Sequence, residues 1–412
     1  MQGLEKLGEG QLSGPEDVYV DAAAGGTLYT ATRDGWLQRM QPNGTWERWR
    51  FAGGAGLLGI APSADGSMLV CDAYKVSAGG SLQGKRRPCR VPPPLAARRC
   101  TAAAQPRPTA SAMACAAAAR HPLQPPPWPC FTPLRCRHAA ASAAGPGRRS
   151  PASHATRPRT YRGTQLDHGL VRVEEGRVTI LASTVEGSPI RFAEAVIEAS
   201  DGTVYFSDGS TRFGIDQWFL DYLEASSTGR LLKYEPSTGK VSVVLDNLAF
   251  ANGVALSQEE TFVVVCESWG YRCSKLWLKG DKAGKAETFI DNLPGSPDNI
   301  HLAPDGSLWI ALLQLRSPWI DLVTRWTFTK RVASSFPTLL DMLKETGKGA
   351  MVAQVSENGK IVRVLSDSEG KETSFITSVT EYDGNLYFGS MTSNFIGKMS
   401  LAKVPCVQEA VS

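Results

Sequence analysis

The chain has 412 residues, of which 42% are hydrophobic and 20% are charged, and its formal net charge at pH 7 is +4. This is the composition of a globular protein that can bury a large core. It excludes a disulfide scaffold, and no apolar run reaches the length of about 18 residues that a membrane-spanning helix requires. The N-terminal segment 1–10 is too polar to be a signal peptide.

A unit of short β-strands recurs along most of the chain. Each unit begins with an apolar strand, continues through a glycine-containing turn and has a second strand with an aromatic or β-branched centre. The first strands of the six units lie at 14–21, 56–63, 192–200, 250–257, 296–304 and 376–384. Four strands repeated six times predict an all-β fold, a six-bladed β-propeller.

The last unit contains only three strands, which would leave the edge of a sheet open. The N-terminal segment 4–8 precedes the first unit and is predicted to supply the missing strand, closing the ring. The propeller is therefore expected to comprise residues 1–75 and 166–402, with 403–412 as a tail.

Residues 76–165 interrupt the second unit. From Val76 to Leu166 the chain has no Asp or Glu, but it has Lys85 and fourteen Arg, and 15 of the 26 Pro. Such a segment cannot pack a core, so we expect a disordered insertion in blade two, and a retained intron is one hypothesis for its origin. Nucleic acid is not an expected partner, because aromatic interleaving is nearly absent and base-reading motifs are absent.

Cys266 and Cys273 are predicted to face each other across a hairpin. A disulfide and two buried thiols are both compatible with this spacing. Buried thiols are favoured, because Cys266 and Cys71 occupy equivalent places in two apolar strands. Asn43 lies in an Asn-Gly-Thr sequon, which matters only if the chain enters the secretory pathway.

The first strand of every propeller blade lines the central channel. Aligning the six first strands brings one mostly polar position to the same register, occupied by Glu16, Leu58, Glu194, Asn252, Asp298 and Thr377. Three carboxylates in one channel repel each other, so they must bind protons or a cation. Oxygen ligands without His or Cys favour calcium over zinc or copper.

The alternative interpretation is that these polar residues cap strands by hydrogen bonding to the backbone. That explanation is sufficient for one residue, but four residues at one register favour a metal site. Asn299, next in the chain after Asp298, offers a further amide oxygen. The predicted metal ligands are Glu16, Glu194, Asn252, Asp298 and Asn299.

Two segments, 214–225 and 317–344, interrupt blades, and the first has the apolar spacing of a helix. Both are interpreted as lids over the channel mouth or as simple packing on the propeller face. Residues 317–331 combine many apolar side chains with Arg325, Lys330 and Arg331, so contact with a membrane surface is a further interpretation.

Long runs around these positions resemble the plant strictosidine synthase-like family. They include GPEDVYV (14–20), RFAEAVIEASDGTVYFSD (191–208) and GSPDNIHLAPDGSLWIALL (295–313), and the resemblance covers residues 4–75 and 167–402. The same runs are similar to the animal adipocyte plasma-membrane-associated protein and, more distantly, to paraoxonases.

The resemblance to paraoxonase-like propellers implies a catalytic calcium held by channel residues. Glu16, Asn252, Asp298 and Asn299 match that pattern, whereas Glu194 departs from it, because relatives often carry Asn or Asp there. The His pair of paraoxonases has no match, since only His168 and His301 lie outside the insertion. His301 is expected to be a strand residue and not a catalyst.

The resemblance to strictosidine synthase implies a different reaction, the condensation of tryptamine with secologanin. That enzyme uses a Glu on the first strand of its sixth blade, and the matching residue here is Thr377. A hydroxyl with a pKa far above neutrality cannot shuttle protons as a carboxylate does.

Three functions therefore remain open. A calcium-dependent hydrolase of esterase or lactonase type, acting on a small-molecule ester, is favoured over an amine–aldehyde condensing lyase and over a non-catalytic binding propeller. The resemblance implies an endomembrane location, in the endoplasmic reticulum or vacuole. The sequence does not indicate an oligomeric state.

Overall fold

The computed structural model describes residues 1–73, 169–313, 317–344 and 349–404. These residues form six four-stranded antiparallel sheets, and the prediction of a six-bladed β-propeller is confirmed. The predicted insertion at 76–165 and its disorder lie outside the described residues, as do His168 and most of the tail at 403–412.

The first three blades follow the chain from the inner strand outwards. Blade one consists of β2 (Pro15–Asp21), β3 (Thr27–Thr32), β4 (Trp36–Met40) and β5 (Trp46–Phe51). Blade two consists of β6 (Leu57–Pro62), β7 (Met68–Asp72), β8 (Leu170–Glu174) and β9 (Arg177–Ala182). A two-stranded ribbon, β10 (Thr184–Val185) and β11 (Ser188–Pro189), precedes blade three, which consists of β12 (Ala193–Glu198), β13 (Val204–Asp208), β14 (Gly229–Glu235) and β15 (Lys240–Leu248).

The last three blades complete the ring. Blade four consists of β16 (Ala251–Leu256), β17 (Phe262–Glu267), β18 (Arg272–Trp277) and β19 (Ala286–Ile290), and blade five of β20 (Ser296–Leu302), β21 (Leu308–Leu313), β22 (Ala350–Val355) and β23 (Ile361–Asp367). Blade six combines β24 (Ile376–Tyr382), β25 (Asn385–Ser390) and β26 (Ile396–Ser400) with the N-terminal strand β1 (Glu5–Leu7). Glu5 opposes Lys398 and Leu7 opposes Ile396, so blade six joins the first strand of the chain, β1, to the last strand, β26.

Six clusters of buried apolar side chains lie between neighbouring blades, one for each interface around the ring. Trp309 and Phe388 pack between blades five and six, and Phe206 packs between blades two and three. All three side chains are at most 2% exposed. Alternate strand residues face opposite sides of a sheet, so each blade contributes to two clusters.

The six inner strands share an irregularity that positions the channel residues. Each of them contains a β-bulge, in which the inner strand has one residue more than the second strand that pairs with it. Examples are the bulges between Pro15 and Val18 and between Pro297 and Ile300. A bulge re-aims the side chains of consecutive residues, which would otherwise point to opposite faces. Two adjacent residues of one strand can therefore both reach the channel.

Four short helices cover one part of the propeller. A 3₁₀ turn, Ile215–Gln217, leads into α1 (Trp218–Glu224), and three helices lie between β21 and β22: α2 (Pro318–Thr324), α3 (Thr327–Ser334) and α4 (Pro337–Lys344). We call α1 to α4 the helical cap. Ser317 caps α2 by accepting a hydrogen bond from the Ile320 amide, with Pro318 at the first helical position.

The preference for buried thiols at Cys266 and Cys273 is wrong, because the two residues form a disulfide. They oppose each other directly in the β17–β18 pairing, with Cα atoms 4.0 Å apart. Sequence spacing predicts that they face each other, but it does not distinguish proximity from a bond. Cys71 is a buried free thiol, as expected.

We expect replacement of both Cys266 and Cys273 by Ala to lower the free energy of unfolding by about 2.5 kcal/mol, because the bond closes a short loop that the unfolded chain would otherwise leave open. Urea unfolding followed by circular dichroism measures this change. Cys71→Ala, which removes a buried sulfur without breaking a bond, is the matched control. Equal losses in both variants would contradict the contribution of the disulfide.

Candidate metal site and cavity

Three carboxylates from three blades meet in the central channel. Glu16 on β2, Glu194 on β12 and Asp298 on β20 each place one carboxylate oxygen within 4.8 Å of the others, and all three side chains are buried. Each lies at the bulge of its inner strand. The structure therefore brings together the three acidic residues aligned from the sequence.

Several oxygen atoms in this cluster lack a hydrogen-bond partner among the described residues. They are Glu16 Oε2, Glu194 Oε2, Asn252 Oδ1 and Asp298 Oδ1. Buried polar atoms are normally satisfied, and leaving one unpaired costs about 1–3 kcal/mol. Four unpaired oxygens in one channel, from four inner strands, form a donor set that fits a hard cation.

Asn299 has a different position from the other predicted ligands. Its side-chain Nδ2 donates a hydrogen bond of 2.9 Å to Glu16 Oε1, so it orients that carboxylate. Its assignment as a ligand stays a prediction.

Mutual repulsion and burial govern the electrostatics of the cluster. Burial, followed by the charges of Asp298, Asp17 and Glu194, raises the pKa of Glu16 well above its ordinary value. Burial and the charge of Asp298 likewise raise the pKa of Glu194. Burial, opposed by a hydrogen bond from Asn252, raises the pKa of Asp298 to about 8. The cluster thus holds protons more tightly than separate carboxylates unless a cation is bound.

Asp17, the neighbour of Glu16 in the same bulge, is a residue to which the sequence analysis assigned no role. Its Oδ1 accepts hydrogen bonds from the Val18 amide at 2.8 Å and the Ser378 hydroxyl at 2.7 Å, and it lies 2.9 Å from His301 Nε2. Its Oδ2 accepts from the Ile60 amide at 2.9 Å. Asp17 therefore links blades one, two, five and six.

The pKa of Asp17 moves in the opposite direction from those of the cluster. Burial acts to raise it, but the charge and hydrogen bond of His301, with the bonds from Ile60 and Ser378, lower it below its ordinary value. His301 lies on β20, as expected of a strand residue, and its ring contacts this buried carboxylate. The adjacency of two acidic residues in Glu16-Asp17 was the available sequence signal.

Thr377, at the position of the synthase Glu, is fully buried. Its hydroxyl donates a 2.6 Å hydrogen bond to the backbone carbonyl of Glu16. This hydrogen bond therefore links blade six to blade one.

A cavity of about 60 Å³ opens beside the carboxylate cluster. Glu194, Asn252 and Asp298 line its polar side, and Arg33 contributes a cation. Its walls are otherwise apolar and largely aromatic, formed by Leu58, Phe192, Ile215, Trp218, Phe250, Trp269, Leu313, Phe375 and Met391. Such a lining suits a small organic molecule whose polar group points at the cluster.

A buried hydrogen-bond network connects this cavity to the helical cap. Asp221 of α1 accepts hydrogen bonds of 2.8 Å from the Ser210 hydroxyl and from Trp269 Nε1. Trp218, also on α1, stacks near Trp269 with ring centroids 6.3 Å apart. The predicted lid at 214–225 therefore forms part of the cavity wall.

Comparison with known proteins finds two family models that match parts of the chain. The strictosidine synthase family model matches residues 194–281, and the model for the N-terminal region of strictosidine synthase-like proteins matches residues 1–40. In these two regions the chain is similar to strictosidine synthase and strictosidine synthase-like proteins. The resemblance predicted from the sequence is thus confirmed.

Curated proteins similar to this chain come from plants and animals. Strictosidine synthase-like 10 of Arabidopsis thaliana is 37% identical over 226 residues, which cover 54% of this chain and 60% of the relative. Adipocyte plasma membrane-associated protein of Mus musculus is 33% identical over 242 residues, covering 57% of this chain and 58% of the relative. The chain thus spans about 60% of the length of these relatives.

A solved structure supports the fold. A gluconolactonase from Xanthomonas campestris has a TM-score of 0.52 with 11% identity, covering 98% of this chain and 89% of that one. At this identity the likeness concerns the fold alone.

We expect the metal-free protein to lose stability as pH rises from about 4 towards the pKa of Asp298, about 8. Because this pKa is higher in the folded state, the folded state keeps a proton that the unfolded chain releases. Asp298→Asn should reduce the slope by up to about 1.4 kcal/mol per pH unit. Urea unfolding in a chelator across this range measures the slope, with Asp246→Asn, an exposed carboxylate on β15, as control. A chelated wild type that gains stability over this range would contradict the site electrostatics.

Gly253 provides a test that leaves every predicted ligand intact. A Cβ at this position of the blade-four bulge would overlap the backbone carbonyl oxygen of Asp298 and lie 2.7 Å from the Ile300 amide nitrogen. We expect Gly253→Ala to displace Asp298 and weaken calcium binding about tenfold or more, measured by titration calorimetry. Gly214→Ala, where a Cβ meets open space, should bind like the wild type. Unchanged affinity in Gly253→Ala would show that Asp298 does not hold the ion.

Proposed function

We propose that this chain is a calcium-dependent hydrolase of esterase or lactonase type that acts on a small-molecule ester. The observation that carries the proposal is the group of four unpartnered oxygens, on Glu16, Glu194, Asn252 and Asp298, of which the last three also line the aromatic cavity. An ion held there lies where a substrate carbonyl can reach it.

The donor set supports calcium as the ion. Carboxylate and amide oxygens are hard ligands, and neither His nor Cys contributes to the four unpartnered atoms. Three carboxylates that share one buried site also require more positive charge than a hydrogen-bonding neighbour supplies.

The residues around the cavity have separable roles in this reaction. Calcium, when bound, polarises the ester carbonyl. Of the three carboxylates only Glu194 and Asp298 line the cavity, so one of them accepts the proton of the attacking water, whereas Glu16 is held by Asn299. Phe192, Trp218, Phe250 and Trp269 exclude bulk water and bind the apolar part of the substrate.

The alternative condensation of an amine with an aldehyde is disfavoured by Thr377. Its hydroxyl is buried and committed to the Glu16 carbonyl, so it supplies no carboxylate to the cavity. A binding propeller without catalysis is the other alternative, and the experiment below separates it from a hydrolase. The endomembrane location stays a prediction from the resemblance.

Calcium titration combined with a screen of aryl esters and lactones tests the proposal. We expect calcium at a hundredfold excess over its dissociation constant to stabilise the protein by about 2.7 kcal/mol, because the ion joins four blades. Asp298→Ala and Asn252→Ala should abolish both this gain and ester turnover, whereas Asp246→Ala should retain both.

The outcomes distinguish the three functions. Identical melting temperatures in calcium and in chelator would show that the proposed metal site does not bind calcium. Calcium stabilisation without turnover of any ester or lactone would favour a binding propeller. Formation of strictosidine from tryptamine and secologanin would favour the condensing lyase.

A further inference from the structure

The outer face of the helical cap exposes a concentrated set of large apolar side chains. We call this set the cap face: Trp319, Leu322, Trp326, Phe328, Val332, Phe336 and Met342. Phe328 is 75% exposed and Trp319 is 64% exposed. Only four other large hydrophobic residues are comparably exposed in the described parts of the chain, at positions 51, 178, 302 and 362. Exposed apolar side chains concentrated in one segment of the chain indicate an interaction site.

The cap face lies opposite a small core that holds the helices in place. Ile320, Ala333, Leu340 and Leu343 are buried against Phe219 and Leu223 of α1. On α3, by contrast, the exposed Phe328 and Val332 are spaced four residues apart, and Phe336 follows after four more. The exposed side chains are therefore one side of amphipathic helices whose other side is already packed.

Basic residues lie in the same segment as the cap face and at its border with α1. Segment 317–344 has four basic and two acidic residues. Arg325 stacks over Trp326 at 5.1 Å from the ring centroid. Lys330 and Arg331 line a cavity of about 610 Å³ between α1 and α3, which Arg212 also lines. Arg212 forms an ion pair with Glu224, but Lys330 and Arg331 form none with the residues that the structure describes.

We propose that the cap face binds the surface of an anionic phospholipid bilayer. Trp and Phe side chains enter the boundary between headgroups and acyl chains, while Arg325, Lys330 and Arg331 contact lipid phosphates. The combination of interfacial aromatic residues with unpaired cations matches the chemistry of that surface. No helix in the described ranges is long and apolar enough to span the membrane.

Vesicle flotation of the full-length chain tests this proposal. Vesicles contain phosphatidylcholine alone or mixed with phosphatidylserine, at low and at high salt. High salt is needed because residues 76–165 carry fifteen basic residues that would bind anionic lipid electrostatically. We expect the wild type to float with the mixed vesicles and to retain part of this binding at high salt.

Two variants and one matched control separate the contributions. Combined Trp319→Ser, Trp326→Ser and Phe328→Ser should reduce lipid partitioning about tenfold or more at both salt concentrations, because apolar insertion is lost. Combined Lys330→Glu and Arg331→Glu should reduce it about tenfold at low salt only. Combined Phe51→Ser and Val178→Ser, which removes exposed apolar side chains from blades one and two, should behave like the wild type. All replaced apolar side chains are exposed, so unchanged melting curves confirm folding.

Three results would overturn the proposal. The first is a wild type that floats with neither vesicle, and the second is a triple variant that floats as well as the wild type. The third is a wild type that dimerises without lipid while the triple variant is monomeric by light scattering, since the cap face would then bind a second copy of the chain. Hydrolysis of a dissolved ester is measured in a separate experiment. A negative result for lipid binding therefore does not contradict the proposed hydrolase function.

Discussion

The unfavourable proximity of Glu16, Glu194 and Asp298 is the constraint on which the centre of this molecule depends. Three buried carboxylates within 4.8 Å of one another cannot all be ionised without compensation, and protons or a cation must neutralise them. Protonation reduces the repulsion but leaves oxygen atoms without partners, whereas a cation satisfies charge and coordination together. Since the carboxylates belong to three blades, any neutralising ion also resists their separation. Site occupancy and propeller stability are therefore coupled through the same atoms.

The β-bulges that position these side chains occur in every inner strand around the ring. Each inner strand has a bulge at the channel, and this lets Glu16 join the carboxylate cluster while Asp17 binds blades two, five and six. Small residues permit the strands to approach closely, as Gly253 does against Asp298. The positions of the clustered carboxylates are thus determined partly by residues outside the cluster.

The sequence predicts the repeat and the channel register because both follow from apolar alternation, and equivalent positions of a closed repeat must converge on its axis. It does not predict which atom of a side chain faces the centre. The sequence predicts Asn299 as a ligand through its amide oxygen, and the structure adds that its amide nitrogen orients Glu16. The sequence does not predict the contact of Asp17 with His301, because it joins blades one and five and no local pattern reveals it. The disulfide was missed for a similar reason, since hairpin spacing indicates proximity and not bonding.

The pairing of β1 with β26 has a consequence for synthesis of the protein on the ribosome. Glu5–Leu7 is translated long before its partner Ile396–Ser400, so this strand stays unpaired while blades one to five are made. Such long-range pairing is slow and leaves sheet edges exposed to other chains in the interval. The carboxylate cluster also remains incomplete until the fifth blade supplies Asp298. A nascent chain therefore cannot assemble all three carboxylates before most of its length has been translated, and ring closure follows later still.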